Sequence, residues 1–196
     1  MFTKQECRVR FKFMRDQLAE VEYARLNLQL LENFKKLSLI LKDVRYLHTY
    51  LPIVKNKEPN TLLIIEYLKE NWPDVGIVVP KSDLTNNLMT HHLLDSKQEL
   101  INNKWGIREP VAGKLIKEQL IDMVLLPLLA FDMSGTRVGY GKGYYDRFLV
   151  NCKPDVQKIG LSLFDPVDKI IDGESHDIPL DFCITPNKIW DFGYKE

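Results

Sequence analysis

IDMVLLPLLAFDMSGTRVGYGKGYYDRFL, residues 121–149, runs from an apolar segment through a glycine-rich one into the start of an amphipathic one. The apolar part, 123–129, is broken only by Pro127 and ends in turn residues. It is too short for a long helix, so it predicts a strand covered on both faces. Gly135, Gly139, Gly141 and Gly143 follow, with Arg137 and Lys142 between them. Without a Cβ, glycine adopts left-handed angles and lets a ligand approach the backbone amides, so a loop of glycines and cations suits phosphate oxygens. Residues 144–149 read as the first turns of a helix, whose positive end would face the same anion. A Walker loop needs Ser or Thr after its Gly-Lys, and here Gly143 follows Lys142. The spacing of Gly139, Gly141 and Gly143 also misses the dinucleotide fingerprint. The loop therefore reads as a phosphate-binding turn of neither common type.

Working outward, Thr3 is expected to cap a helix over 3–18, with Glu6 completing a capping box. Lys4, Arg8 and Lys12 or Arg15 fall on one side of it. Such stripes are mostly solvated faces; the sharper reading sends Lys4 and Arg8 into a nucleotide site. A second helix over 21–41 carries Leu28, Leu31, Phe34, Leu37 and Leu41 at core-packing intervals. Residues 45–52 alternate as a strand, 55–61 form a polar turn and 61–70 a helix. Glu58 lies in that turn, beyond the carboxyl end of the strand, where open parallel sheets place their ligands. Further strands are expected over 75–79, which leads into Pro80-Lys81, and over 88–94, which sets His91 and His92 on opposite faces.

Residues 102–111 form a loop with an exposed Trp105, which either anchors the loop or lines a site for a flat ligand. The last strands fall over 157–162 and 181–185. Between them, in a turn-rich acidic segment, Asp177 is a turn residue or reaches the phosphate site with a bound cation. This alternation predicts one α/β domain over 1–196, an open, mainly parallel sheet with helices on both faces.

Lys and Arg number 27, as do Asp and Glu, so no overall field draws the chain to nucleic acid or an anionic membrane. No apolar run approaches the roughly 20 residues of a membrane-spanning helix. The three cysteines lie far apart without metal-ligand spacing, which reads as free thiols in a reducing cytoplasm. The expected partners are small molecules, with neither nucleic acid nor membrane, for a cytoplasmic monomer.

The long run LLPLLAFDMSGTRVGYGKGYYDRFL resembles the signature of the 5-formyltetrahydrofolate cyclo-ligase family, a Phe-Asp followed by Gly-x-Arg and Gly-x-Gly-x-Gly-Tyr-Tyr-Asp. Support extends along the chain. Lys4 with Arg8, Glu58, Pro80-Lys81, Trp105-Gly106-Ile107 with Pro110, and His176-Asp177-Ile178-Pro179 with Asp181 are similar to the family's other landmarks, in the same order. The resemblance implies a fold of the NagB, RpiA and CoA-transferase kind. It also implies a reaction in which ATP and Mg²⁺ drive closure of 5-formyltetrahydrofolate to 5,10-methenyltetrahydrofolate.

Carried over residue by residue, Lys4, Arg8 and the loop Arg137, Val138, Gly139, Tyr140, Gly141, Lys142, Gly143, Tyr144 and Tyr145 would bind ATP. Lys142 and Tyr145 would be catalytic, and Asp146 and Asp177 would hold Mg²⁺. Ile53, Glu58, Trp105, Tyr140 and Tyr144 would bind the folate. Many members have arginine where this chain has Tyr140. That departure keeps open a second reading, a non-catalytic folate- or nucleotide-binding paralogue of the same fold.

Overall fold

The computed structural model describes residues 1–95, 99–104 and 106–193, apart from the side chains of residues 38 and 39. Helices α1 (Lys4–Gln17) and α2 (Glu20–Lys36) open the chain, followed by β1 (Tyr46–His48), α3 (Thr61–Asn71), β2 (Gly76–Asp83) and β3 (Leu88–Leu93). The short strands β4 (Leu100–Asn102) and β5 (Arg108–Pro110) make a separate pair. Then come β6 (Met123–Pro127), β7 (Ala130–Phe131), β8 (Arg137–Val138), α4 (Tyr144–Val150), β9 (Gln157–Leu161), β10 (Phe182–Ile184) and β11 (Ile189–Asp191).

Among the described residues, seven strands form one sheet in the order β11-β10-β9-β6-β1-β2-β3. The five inner strands run parallel, and β3 and β11 pair antiparallel at the two edges. The strand period of two splits the core across the sheet. Leu47, Ile77, Val79, Met123 and Leu125 pack with Leu30 and Phe34 of α2 and Ile64 and Leu68 of α3. Tyr46, Val78, Val124 and Leu126 face the other way, against Phe148 and Leu149 of α4. The expected mainly parallel sheet with helices on both faces is what forms. No helix among the described residues is long and apolar enough to cross a membrane.

Several boundaries differ from the sequence reading. The strand expected over 123–129 stops at Pro127, and the chain continues into β7, which pairs with β8 beneath the glycine loop. Pro127 still pairs with Leu161, and beyond it the Leu129 N–H donates to the Val138 carbonyl at 2.7 Å, so the bonding passes from β9 to β8. The helix expected over 21–41 ends at Lys36 and passes into a 3₁₀ segment, Ser38–Asp43. Of the strand expected over 45–52, only Tyr46–His48 pairs. β2 continues through Pro80 to Asp83, because β3 pairs with it along that whole length.

The strand order explains where the chain can bind something. From β1 the chain moves to β2 on one side and later returns to β6 on the other, so the order reverses between β1 and β6. The connections leaving their carboxyl ends diverge and leave a crevice, the usual ligand position in open α/β sheets.

Beneath this crevice lies a buried histidine pair. His48 is fully buried with no partner for either ring nitrogen among the described residues, and His91 stacks on Phe148 at 4.1 Å. Their rings lie 5.1 Å apart. Burial holds both imidazoles below the ordinary 6.5. His91 is lowered to about 4, with Glu118 opposing the shift and His92 adding to it. The folded chain thus binds fewer protons than the unfolded one in the window below 6.5, and stability rises with pH. The contribution of His91 is full above 6.5 and is lost as pH falls toward about 4, a change of about 3 kcal/mol. Melting curves across that window should show a fall in midpoint that His91→Phe reduces. An identical pH dependence in the variant would remove His91 from the acid response.

Candidate functional site

A cavity of 680 Å³ opens at the reversal between β1 and β6, within the range of small-molecule sites. Lys4 and Arg8 of α1 enter it from one side, and Tyr50, Ile53 and Glu58 enter from the connection after β1. The glycine loop and the start of α4 bring Arg137, Lys142, Tyr144, Tyr145 and Asp146, and Asp177 comes from the segment before β10.

Local sequence explains these placements. Thr3 and Glu6 form the expected capping box, which starts α1 at Lys4 and is worth about 1 kcal/mol. The Lys4 N–H donates to Asp172 at 2.7 Å, tying the helix start to the segment that carries Asp177. Four residues on, Arg8 Nε donates to the Gly139 carbonyl at 3.1 Å and so holds the loop from α1. Gly141 and Gly143 have φ of 87° and 68°, angles a side chain adopts only with strain. A Cβ on Gly141 would also stand 3.4 Å from the Arg8 guanidinium. The helix after the loop is only seven residues long, Tyr144–Val150, and Gly143 caps it without a side chain. The macrodipole expected from the sequence is correspondingly weak.

The charges at this end are arranged in pairs. Lys4 Nζ lies 2.6 Å from Asp177, and Arg137 lies 2.6 Å from Asp146. Burial works to raise the Asp177 carboxyl, but the Glu174 N–H and Lys4 outweigh it and hold it below the ordinary range. Arg137 is shifted down by burial, against the pull of Asp146 and Asp177, so both carboxylates act on one guanidinium. Among the described residues no three His, Cys, Asp or Glu side chains gather to enclose a metal. Two oxygen-donor carboxylates at one rim are nonetheless the donor set Mg²⁺ takes when phosphate oxygens and water complete its shell. The residues therefore fit a metal that arrives with a phosphate ligand.

The opposite end is built around Glu58, which is 3% exposed. Its Oε2 accepts from the Ile53 N–H at 2.7 Å, and its Oε1 accepts from the Tyr140 hydroxyl at 2.5 Å. Burial raises the Glu58 carboxyl, and the Ile53 N–H, Tyr140 and Arg15 oppose that rise. Tyr145 lies deep in the wall, its hydroxyl buried and without a partner among the described residues. An unsatisfied buried hydroxyl costs about 1–3 kcal/mol. Tyr145→Phe removes that cost, so the variant should melt at or above the wild-type temperature while turnover falls. Undiminished turnover would assign Tyr145 a packing role alone.

The 5-formyltetrahydrofolate cyclo-ligase family model matches residues 1–186. The chain belongs to the 5-formyltetrahydrofolate cyclo-ligase family. It is 29% identical to the 5-formyltetrahydrofolate cyclo-ligase of Mycolicibacterium smegmatis over 71% of this chain and 72% of that protein. The structure is similar to that of Aquifex aeolicus 5,10-methenyltetrahydrofolate synthetase, with a TM-score of 0.82, 27% identity, and 98% and 94% of the two chains covered. A 5,10-methenyltetrahydrofolate synthetase from Mycoplasma pneumoniae shares the fold at a TM-score of 0.73 and 24% identity, over 94% and 99% of the two chains.

Among the residues that the cyclo-ligase resemblance singled out, the cavity gathers Lys4, Arg8, Ile53, Glu58, Arg137, Gly139, Tyr140, Gly141, Lys142, Gly143, Tyr144, Tyr145, Asp146 and Asp177. Val138 is not brought to it. Its side chain is 1% exposed and packs with Cys7, Phe11 and Leu129, because β8 alternates Arg137 toward the cavity and Val138 toward α1. Trp105 lies outside the described residues. The sequence reading missed Arg15, whose guanidinium reaches Tyr140 from beneath at 3.2 Å. Its place in the basic stripe of α1 was the available signal. That Arg15 turns inward while Lys12 stays exposed depends on packing no spacing rule records.

Proposed function

We propose that this cyclo-ligase family member converts 5-formyltetrahydrofolate and ATP to 5,10-methenyltetrahydrofolate, ADP and phosphate. The observation that carries this reading is the division of one cavity into two chemically different ends. The end with Lys4, Arg8, Arg137 and Lys142 suits a polyphosphate. The end with the buried Glu58 suits a heterocycle that presents N–H donors. The glycine loop touches both, since Arg137 and Lys142 belong to the first and Tyr140 to the second.

The chemistry needs both ends together. A formyl oxygen is a poor leaving group as it stands. Its attack on the γ-phosphorus of ATP forms an O–P bond and releases ADP, leaving a phosphorylated formyl group on N5. N10 then attacks the formyl carbon and gives up its proton to solvent, the C–O bond to phosphate breaks, and phosphate leaves with the electron pair as the methenyl bridge forms. Phosphoryl transfer asks a protein mainly for alignment and charge neutralisation. Lys142 would face the charge that develops on the transferring group. Lys4, Arg8 and Arg137 would hold the remaining phosphate oxygens, and Glu58 with Ile53, Tyr140 and Tyr144 would orient the folate. Mg²⁺, held by Asp146 and Asp177 together with phosphate oxygens, would neutralise charge on the polyphosphate.

The test is direct. Purified protein with Mg-ATP and 5-formyltetrahydrofolate should develop the methenyl absorbance with one ADP released per ring closed. Folded protein that binds both ligands without that signal would defeat the enzymatic reading in favour of a binding paralogue.

A further inference from the structure

Arg15 sits in the last turn of α1, is 2% exposed and makes no ion pair with a carboxylate among the described residues. One terminal nitrogen donates to the Leu128 carbonyl at 2.6 Å and the other to the Tyr140 hydroxyl at 3.2 Å, while Nε has no partner among the described residues. A guanidinium can only donate. The Tyr140 oxygen therefore accepts from Arg15, and its own proton is committed to Glu58 Oε1, 2.5 Å away. A cation, a phenol and a carboxylate stand in series, supplied by α1, the glycine loop and the connection after β1.

Of the groups that hold the Glu58 charge against burial, the Ile53 N–H acts most strongly, and Tyr140 and Arg15, the members of this series, act beside it. Tyr23 of α2 donates to the Glu58 backbone carbonyl at 2.5 Å, not to its carboxylate. Tyr50, following β1, and Tyr145, of α4, feel the Glu58 charge but are neutral hydroxyls whose own ionisation burial pushes upward. Among the described residues, Arg15 is the positive charge that acts on Glu58. Without it a carboxylate this deeply buried drifts toward its neutral form. A neutral Glu58 would present one O–H in place of an acceptor-only edge.

We infer that Arg15 is a positioning residue for folate recognition, acting through the Tyr140 hydroxyl to keep Glu58 ionised and oriented toward N–H donors of the substrate. The inference rests on the proposed folate reading and adds a residue to it. The competing role is purely structural: Arg15 would merely satisfy the Leu128 carbonyl.

Arg15→Met and Tyr140→Phe separate the two roles, because Tyr140→Phe breaks the series and leaves the Arg15–Leu128 bond in place. Each should raise KM for 5-formyltetrahydrofolate about tenfold or more, with KM for Mg-ATP unchanged. Each should also move the acid limb of kcat/KM for the folate to higher pH. The double variant should be no worse than Arg15→Met alone, and Arg15→Lys should recover part of the loss. A lowered melting point in Arg15→Met, together with an unaltered pH profile and folate KM in Tyr140→Phe, would overturn the inference and leave Arg15 structural. Should the wild-type protein bind 5-formyltetrahydrofolate without closing the ring, the enzymatic reading falls alone. The same variants are then compared by the pH dependence of folate binding, where an unshifted limb in both overturns the inference.

Discussion

Lys142→Ala should lower turnover by about 10²-fold or more and leave the melting temperature unchanged. The two effects separate because of where the side chain sits. Lys142 is exposed, lies between two glycines of positive φ and lines the cavity. Its side chain makes no hydrogen bond or ion pair among the described residues, in contrast to Lys4 and Arg137, which are each held by a carboxylate. What does hold this position is its backbone, since the Lys142 carbonyl accepts from Arg147 at 2.8 Å, a bond that alanine retains. Truncation thus removes a charge the folded protein does not use for itself. A group whose interaction appears only as charge develops in the transition state lowers kcat and kcat/KM together. A rise in KM for ATP with kcat intact would instead make Lys142 a ground-state phosphate contact, and unchanged kinetics would take it out of the mechanism.

The sequence carried the site further than it carried the element boundaries, for physical reasons that differ from residue to residue. Lys4 and Arg8 were legible because a capped helix fixes which residues share a face, and the Thr3–Glu6 box fixes its start. Glu58 was singled out only by the family resemblance, since a loop glutamate at the carboxyl end of a strand is in most cases merely solvated; of that strand Tyr46–His48 pairs. The direction of the Val138 side chain was not legible because a glycine-rich run reads as loop throughout. Here two of its residues form β8, and strand alternation turns Val138 into the core. The Pro127 break was visible, but that the chain beyond it folds back to pair β7 with β8 depends on contacts distant in sequence. The same holds for the Arg15, Tyr140 and Glu58 series, in which the first two members lie 125 positions apart and the last two 82. Asp177 was ambiguous between turn residue and metal ligand; the structure shows the turn bond, accepted from the Glu174 N–H, and an ion pair with Lys4.

Asp146→Asn should show the largest combined effect, because Asp146 serves the fold and the site at once. The Arg137 side chain is 6% exposed and its contact with Asp146 is 2.6 Å, against 22% exposure for Asp146. Asparagine keeps the shape and one acceptor but removes the charge that compensates a buried guanidinium. Breaking such a pair costs about 3–5 kcal/mol when both groups are fully buried. Asp146 retains contact with solvent and Asp177 also acts on Arg137, which brings the expected loss to roughly 2–3 kcal/mol, or about 5–10 °C in melting temperature. The Mg²⁺ concentration for half-maximal turnover should rise in parallel, since one of two candidate oxygen ligands becomes neutral. A second substitution separates the two causes. In Arg137→Met/Asp146→Asn the orphaned charge is gone, so stability should return toward wild type, as replacing both partners of a buried pair by groups of similar volume allows. The Mg²⁺ requirement should stay high, because methionine restores no ligand. Recovery of both in the double variant would mean that Asp146 acts on the site only by balancing Arg137. A raised Mg²⁺ requirement that persists after stability has returned assigns the carboxylate to the metal.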